Sequence, residues 1–180
     1  MSTDLWKVLH RERLFSVPGR LDVYNETVEL PNGRIVTDYL QFVAATFAQI
    51  FAETVDGKVI LLRQYKHGPR RVHLALPGGH IDADETPLAA ARRELLEETG
   101  YGGGDWSDLG SFCTAGNHGG STSYSFICRG AELKAEPRSG DLEQMTVELL
   151  DRSALLTAVT AGEFATGSDL ATIALALARG

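Results

Sequence analysis

The sequence predicts an α+β fold, a mixed α/β sandwich in which strand and helix do not alternate regularly. Three observations carry this. Apolar and β-branched runs broken by turn signals fill most of the chain before residue 80, and again from residue 106 to 133. One well-capped helical run, residues 86–99, interrupts them, and two more helical runs close the chain.

The first section reads as a β unit, RLFSVPGRLDVYNETVELPNGRIVTDYLQF, broken at Pro18-Gly19 and at Pro31-Asn32-Gly33. Asn-Gly between β-rich runs is a strong hairpin signal, so residues 22–30 and 34–42 are expected to pair. ATFAQIFAET follows as a strand, Asp56-Gly57 turns the chain, and KVILLRQYK is the next strand. HGPRRV is expected to be a loop, and HLALPGGH a short strand that breaks at Pro77. In residues 86–99, Thr86 suits the cap, Pro87 the first helical position and Gly100 the stop. WSDLGSFCTAG and STSYSFICRGAEL read as strands joined by the glycine-rich AGNHGGS. EPRSGDLEQ is a polar loop and MTVELLD the last strand. Residues 153–162 and 168–178 form the closing helices, the second capped by Ser168 or Asp169.

Length and charge narrow the function. A chain of 180 residues suits one domain with a sizeable core and a small extra layer. Its formal net charge of -7 disfavours bulk nucleic-acid binding but leaves room for a small anionic substrate received by local cations or a metal. Cys113 and Cys128 lie on separate predicted strands and are expected to be reduced core thiols. The charged N-terminus lacks a signal-peptide core, and no apolar run approaches the ~20 residues of a membrane span. A cytoplasmic protein without membrane attachment is expected.

The chemistry concentrates in GGHIDADETPLAAARRELLEETGY, residues 78–101. At ~100° per residue, Leu88, Ala91 and Leu95 share one face of the helix, with Thr99 nearby. Glu94, Glu97 and Glu98 are expected on the opposite side, bordered by Arg93. Like charges three and four residues apart destabilise a helix. Either the row is a solvated acidic face, or it is a site for a hard cation, because carboxylate oxygens suit Mg²⁺ and Mn²⁺.

Written as a pattern, the stretch is Gly79, five residues, Glu85, seven residues, Arg93-Glu94-Leu95, one residue, Glu97-Glu98, one residue, Gly100 and an apolar Tyr101. This resembles the Nudix box, and every fixed position is met. The resemblance implies a Nudix α/β/α sandwich with a mixed sheet and an N-terminal antiparallel β layer. It implies that Glu94 and Glu98 are direct Mg²⁺ ligands, that Glu97 acts directly or through water, and that the Gly78 carbonyl joins the metal shell. Glu85 and Arg93 resemble the family's structural ion pair.

Beyond the box, DGKVILLRQYKHGP, VELPNGRIV and the C-terminal DLEQMTVELLD are similar to the ADP-ribose pyrophosphatase and nucleoside-diphosphate-sugar group. That similarity implies metal-dependent hydrolysis of a diphosphate bond, with Mg²⁺ or Mn²⁺, to a nucleoside monophosphate and a sugar phosphate. It implies Arg63 and Lys66 as diphosphate contacts, and Glu143 as the loop residue that orients or deprotonates water, with Asp141 the alternative. His118, in AGNHGGSTSY, is a candidate for tuning the substrate's distal group. The similarity also implies a homodimer formed by a β layer at residues 1–44, with the hydrolase domain at 45–180. Three features differ from the group: Ala75 stands near an expected glutamate, Ala115-Gly116 near an expected proline, and the loop AGNHGGSTSY is itself unusual. GDP-mannose, dinucleoside polyphosphates and modified nucleoside triphosphates are therefore alternative substrates, and a non-catalytic nucleotide sensor is the alternative class. Trp6, Trp106, Tyr24 and Tyr39 are candidates either for base stacking or for packing.

Overall fold

The computed structural model describes residues 5–140, 142 and 144–180. The chain divides into two compact units. One runs through Thr46 and takes in Cys113–Thr122; the other comprises Phe47–Phe112 and Ser123–Gly180.

In the first unit, β1 (Lys7–Val17), β2 (Leu21–Glu29) and β3 (Ile35–Ala44) form an antiparallel meander. The Asn32-Gly33 signal forms the second turn: Asn32 Oδ1 accepts from the Arg34 N–H, and Gly33 takes φ 79°. β1 begins at Lys7, six residues before the apolar pattern indicates. Its basic residues find partners across the ladder, Lys7 with Glu29, Arg11 with Glu26 and Arg13 with Asp22, so an exposed strand is stabilised by charge. Cys113, expected in the core, is exposed, and its Sγ–H donates to the Gly119 carbonyl.

The second unit holds β4 (Phe47–Thr54), β5 (Val59–Lys66), β6 (Arg71–Ala75), β7 (Gly78–His80), α1 (Pro87–Thr99), β8 (Tyr101–Gly102), β11 (Met145–Leu150), α2 (Arg152–Thr160) and α3 (Gly167–Ala178). It also holds most of β9 (Asp105–Ala115) and β10 (Gly119–Leu133). β10 runs parallel to β4, while β4 is antiparallel to β5 and β7, and β5 is antiparallel to β6 and β11. The sheet is therefore mixed, and the fold is α+β.

Strand periodicity places the core on both faces of this sheet. Ala48, Ile50, Ala52, Ile60, Phe126 and Cys128 pack with Ala90, Ala91 and Leu95 of α1. Phe51, Val59, Leu61 and Ile127, one residue out of phase, pack with Leu155 and Ala158 of α2 and Ile173 and Ala176 of α3. Burial pushes the Cys128 thiol up to about 11. HGPRRV is only partly a loop, because β6 begins at Arg71. The cap of α3 is Thr166, whose Oγ1 accepts from the Asp169 N–H. Asp169 is buried and its carboxylate is used elsewhere.

Candidate active site

Three local signals set α1 in place. Thr86 Oγ1 accepts from the Ala89 N–H, Pro87 opens the helix, and Gly100 closes it at φ 75° with its N–H on the Leu96 carbonyl. Ala91 and Leu95 are fully buried, which fixes the rotation of the helix about its axis. β7 pairs with β4 through Gly78 opposite Gln49 and His80 opposite Phe47, so the glycine turn lies beside the helix that follows it.

That rotation corrects the expected acidic face. Glu98 is not on the outer side; it is 3% exposed, and its Oε2 accepts from the Gly78 N–H at 2.8 Å. The reason is periodicity: Glu98 is three residues after Leu95 and seven after Ala91, so it borders the buried stripe. The Glu94 side chain is 13% exposed and that of Glu97 41%. The carboxylates thus grade from buried to open, which a solvated face does not do.

Arg93 holds this row together. Its Nε and Nη2 donate to the two Glu85 oxygens at 3.1 and 2.9 Å, and Nη2 also donates to the His80 carbonyl. Its Nη1 donates to Glu94 Oε1 at 2.7 Å and to Glu97 Oε2 at 3.1 Å. The fork joins the loop before α1 to the helix and offsets the repulsion among the glutamates. Hydrogen bonding from Arg93 draws the Glu85 carboxyl below its usual range, against an opposing effect of burial.

A cavity of about 380 Å³ is lined by Phe47, Lys66, Gly78, Gly79, His80, Asp82, Arg93, Glu94 and Glu98. Glu97 lies beside it, held by Arg93. Lys66 lines it and Arg63 does not. These two residues are three apart on β5 and so point to opposite faces of the sheet. Arg63 instead forks onto Glu148 and reaches Glu163 at 2.9 Å. His118 lies in the first unit, where it contacts the Leu40 carbonyl and lines an apolar cavity with Leu21, Val23 and Phe42. Glu143 and Asp141 lie outside the described residues. Trp106 packs with the α1 side of the core and donates to the Gly103 carbonyl, while Trp6 meets Tyr39 edge-on and Arg11 covers Tyr24. Phe47, His80 and Asp82 were not singled out from sequence; the last two occupy variable positions of the box, where the pattern is silent.

The donor set around the cavity is oxygen-only at its acidic end, which suits a hard divalent cation. A Cβ on Gly79 would lie 2.4 Å from the Glu94 carboxylate, so the glycine leaves the space that this carboxylate occupies. Among the described residues, no three acidic, histidine or cysteine side chains converge on one point. A divalent ion bound here would draw on fewer than three such side chains, and water would have to complete its shell, as Mg²⁺ commonly retains it.

Fold and site together are those of a Nudix domain, and the comparisons agree. A family model of the NUDIX domain matches residues 42–165. The chain is 30% identical over 146 residues to the ADP-ribose pyrophosphatase of Bacillus subtilis (strain 168), covering 81% of this chain and 77% of that protein. It is equally 30% identical over 147 residues to the methanol dehydrogenase activator of Bacillus methanolicus, with the same coverage of 81% and 77%. A crystal structure of an ADP compounds hydrolase superposes with a TM-score of 0.82 over 99% of this chain and 96% of that one, at 20% identity, which speaks to the fold. The chain belongs to the Nudix family, as a hydrolase of the pyrophosphatase class. No helix among the described residues is long and apolar enough to cross a membrane.

Proposed function

We propose that the protein hydrolyses the diphosphate bond of ADP-ribose or a related nucleoside diphosphate sugar, releasing a nucleoside monophosphate and a sugar phosphate. One observation carries this reading: Glu94 and Glu98 face the same cleft as Lys66, so carboxylates suited to a divalent cation and a lysine suited to a diphosphate border one space of about 380 Å³. The similarity to an ADP-ribose pyrophosphatase supports the substrate class.

Glu94, Glu98 and the Gly78 carbonyl would hold Mg²⁺, or Mn²⁺ in its place, with Glu97 contributing through water. A divalent ion there supplies Lewis-acid polarisation of the phosphoryl oxygens. The chain's own residues do the rest. Lys66 neutralises diphosphate charge as a point cation. Glu85 and Arg93 hold the box rigid, and Arg93 keeps the Glu94 carboxylate aimed. Glu143, or Asp141 beside it, orients the water that attacks phosphorus and takes its proton. Arg63 acts as a pillar of the β5–β11 face rather than as a substrate contact. The meander of the first unit, with Leu9, Leu14 and Phe15 exposed, is proposed as the homodimer surface.

Product analysis tests the reading. ADP-ribose, GDP-mannose and a dinucleoside polyphosphate are each incubated with Mg²⁺ and with chelator. AMP and ribose 5-phosphate formed only with metal support it. Turnover of GDP-mannose alone would move the substrate assignment and keep the reaction. No product from any would turn the reading toward a nucleotide sensor.

A further inference from the structure

Beside the carboxylate cleft lies a second cavity of about 230 Å³. The two share Phe47, Lys66 and Gly78 in their linings, so they are neighbours. The wall of the second includes Gln49, Gln64 and His73, which are 7%, 4% and 2% exposed.

Six buried side-chain polar atoms lack a partner among the described residues. Three of them, Gln49 Oε1, Gln64 Oε1 and His73 Nε2, belong to this one wall. Buried polar atoms are costly to leave unpaired, so three on one cavity point to something that enters it.

For Gln49 and His73 the chemistry is set by the bonds their other ends make. Gln49 Nε2 donates to Asp169 Oδ1 at 2.5 Å; a carboxylate only accepts here, so the amide is oriented and Oε1 is the acceptor left over. Asp169 is held in turn by the Leu76 N–H and the Thr166 hydroxyl. His73 Nδ1 lies 2.8 Å from the Leu74 carbonyl, which also only accepts. Nδ1 therefore carries a proton, and in the neutral imidazole this leaves Nε2 as the acceptor. Lys66, Thr166 and Ser168 also line the cavity, but the three atoms left unpaired on its wall are acceptors. A phosphate oxygen, itself an acceptor, does not satisfy them; a hydroxyl does.

We propose that this cavity is a hydroxyl-reading subsite, in which Gln49, Gln64 and His73 accept hydrogen bonds from the neutral sugar ring whose phosphate lies in the carboxylate cleft. This deepens the diphosphate-sugar reading above and rests on it. A volume of this size also has room for several waters at roughly 30 Å³ each, and the experiment separates the two occupants.

The whole chain is titrated calorimetrically, in Mg²⁺, with ribose 5-phosphate and with tetrahydrofurfuryl phosphate. The second probe keeps the ring and the phosphate and lacks the hydroxyls. Ribose 5-phosphate is expected to bind at least about tenfold more tightly. Gln64→Met, which keeps the length and removes the acceptor, is expected to reduce that preference about fivefold while leaving tetrahydrofurfuryl phosphate unchanged. Should that variant melt below the titration temperature, Gln49→Met carries the same comparison. Equal affinity for the two probes on the unaltered chain overturns the proposal and makes the cavity a water site. A preference that survives loss of the acceptor also overturns it. Binding is read without turnover, so the two ideas fail separately. Preference without ADP-ribose hydrolysis keeps the subsite and removes the substrate; hydrolysis without preference does the reverse.

Discussion

Glu98, near the end of α1, accepts a hydrogen bond from the backbone N–H of Gly78 at 2.8 Å. One oxygen of the buried carboxylate is thus fixed to the glycine turn that opens the box, and the strand end and the helix end become one rigid piece. A carboxylate held by a backbone donor in this way is positioned before any ligand arrives.

Glu98→Gln separates that structural bond from the charge. Glutamine still offers an oxygen to the Gly78 N–H, so the thermal midpoint is expected to stay within about 5 °C of the parent. Turnover of ADP-ribose in Mg²⁺ is expected to fall by at least about a hundredfold, because an anionic cation ligand is lost. Activity like that of the parent would remove Glu98 from the metal set.

The two glycines of the turn are expected to fail differently. The atoms nearest a Cβ on Gly79 belong to the end of the Glu94 side chain, which can swing away. Gly79→Ala should therefore melt like the parent and lose activity through a displaced Glu94. A Cβ on Gly78 would lie 2.3 Å from the Ala48 carbonyl and 3.1 Å from the Gln49 Cα, and backbone has no such freedom. Gly78→Ala should lower the melting temperature clearly, by several degrees at about 1–3 kcal/mol of overpacking. Calorimetric scans and turnover of both variants check the contrast, and equal melting temperatures would refute it.

Much of this was legible because it is local. The span of α1 follows from Thr86, Pro87 and Gly100, and the hairpin between β2 and β3 from Asn32-Gly33. The face of Glu98 was misread because a residue three places after Leu95 sits at the border of the stripe, where sequence periodicity alone does not choose. The similarity of RQYK to its group implies Arg63 and Lys66 together as diphosphate contacts, although strand alternation sets them on opposite sides. The wall of Gln49, Gln64, His73 and Asp169 carries no sequence signal. Gln49 and Asp169 are 120 residues apart, and only the packing of α3 against β4 brings them together.

The separation of Arg63 from Lys66 gives a kinetic prediction. Lys66→Ala removes the basic side chain from the cleft and is expected to raise KM for ADP-ribose about tenfold or more. Arg63→Ala leaves Glu148 and Glu163 without their shared cation and is expected to lower the melting temperature while changing KM little. Steady-state kinetics and melting curves of the two variants check this, and a large KM effect from Arg63→Ala would return that residue to the substrate.

The Glu85–Arg93 pair predicts how stability follows pH. Hydrogen bonds from Arg93 lower the Glu85 pKa from an ordinary value of 4.5. A carboxyl depressed on folding stabilises the native state fully above its unfolded pKa, and that contribution is lost as pH falls through the folded value. The parent should therefore exceed Glu85→Gln in stability by about 1 kcal/mol at pH 7, since the pair is partly exposed and glutamine retains an acceptor. The gap should hold constant down to about pH 5 and close below 4.5, as the parent's own carboxyl becomes neutral. Urea unfolding of both proteins at pH 7, 4.5 and 3 measures it. A gap that persists unchanged at the lowest pH would mean that Glu85 holds the loop by shape and neutral hydrogen bonding, with no contribution from its charge.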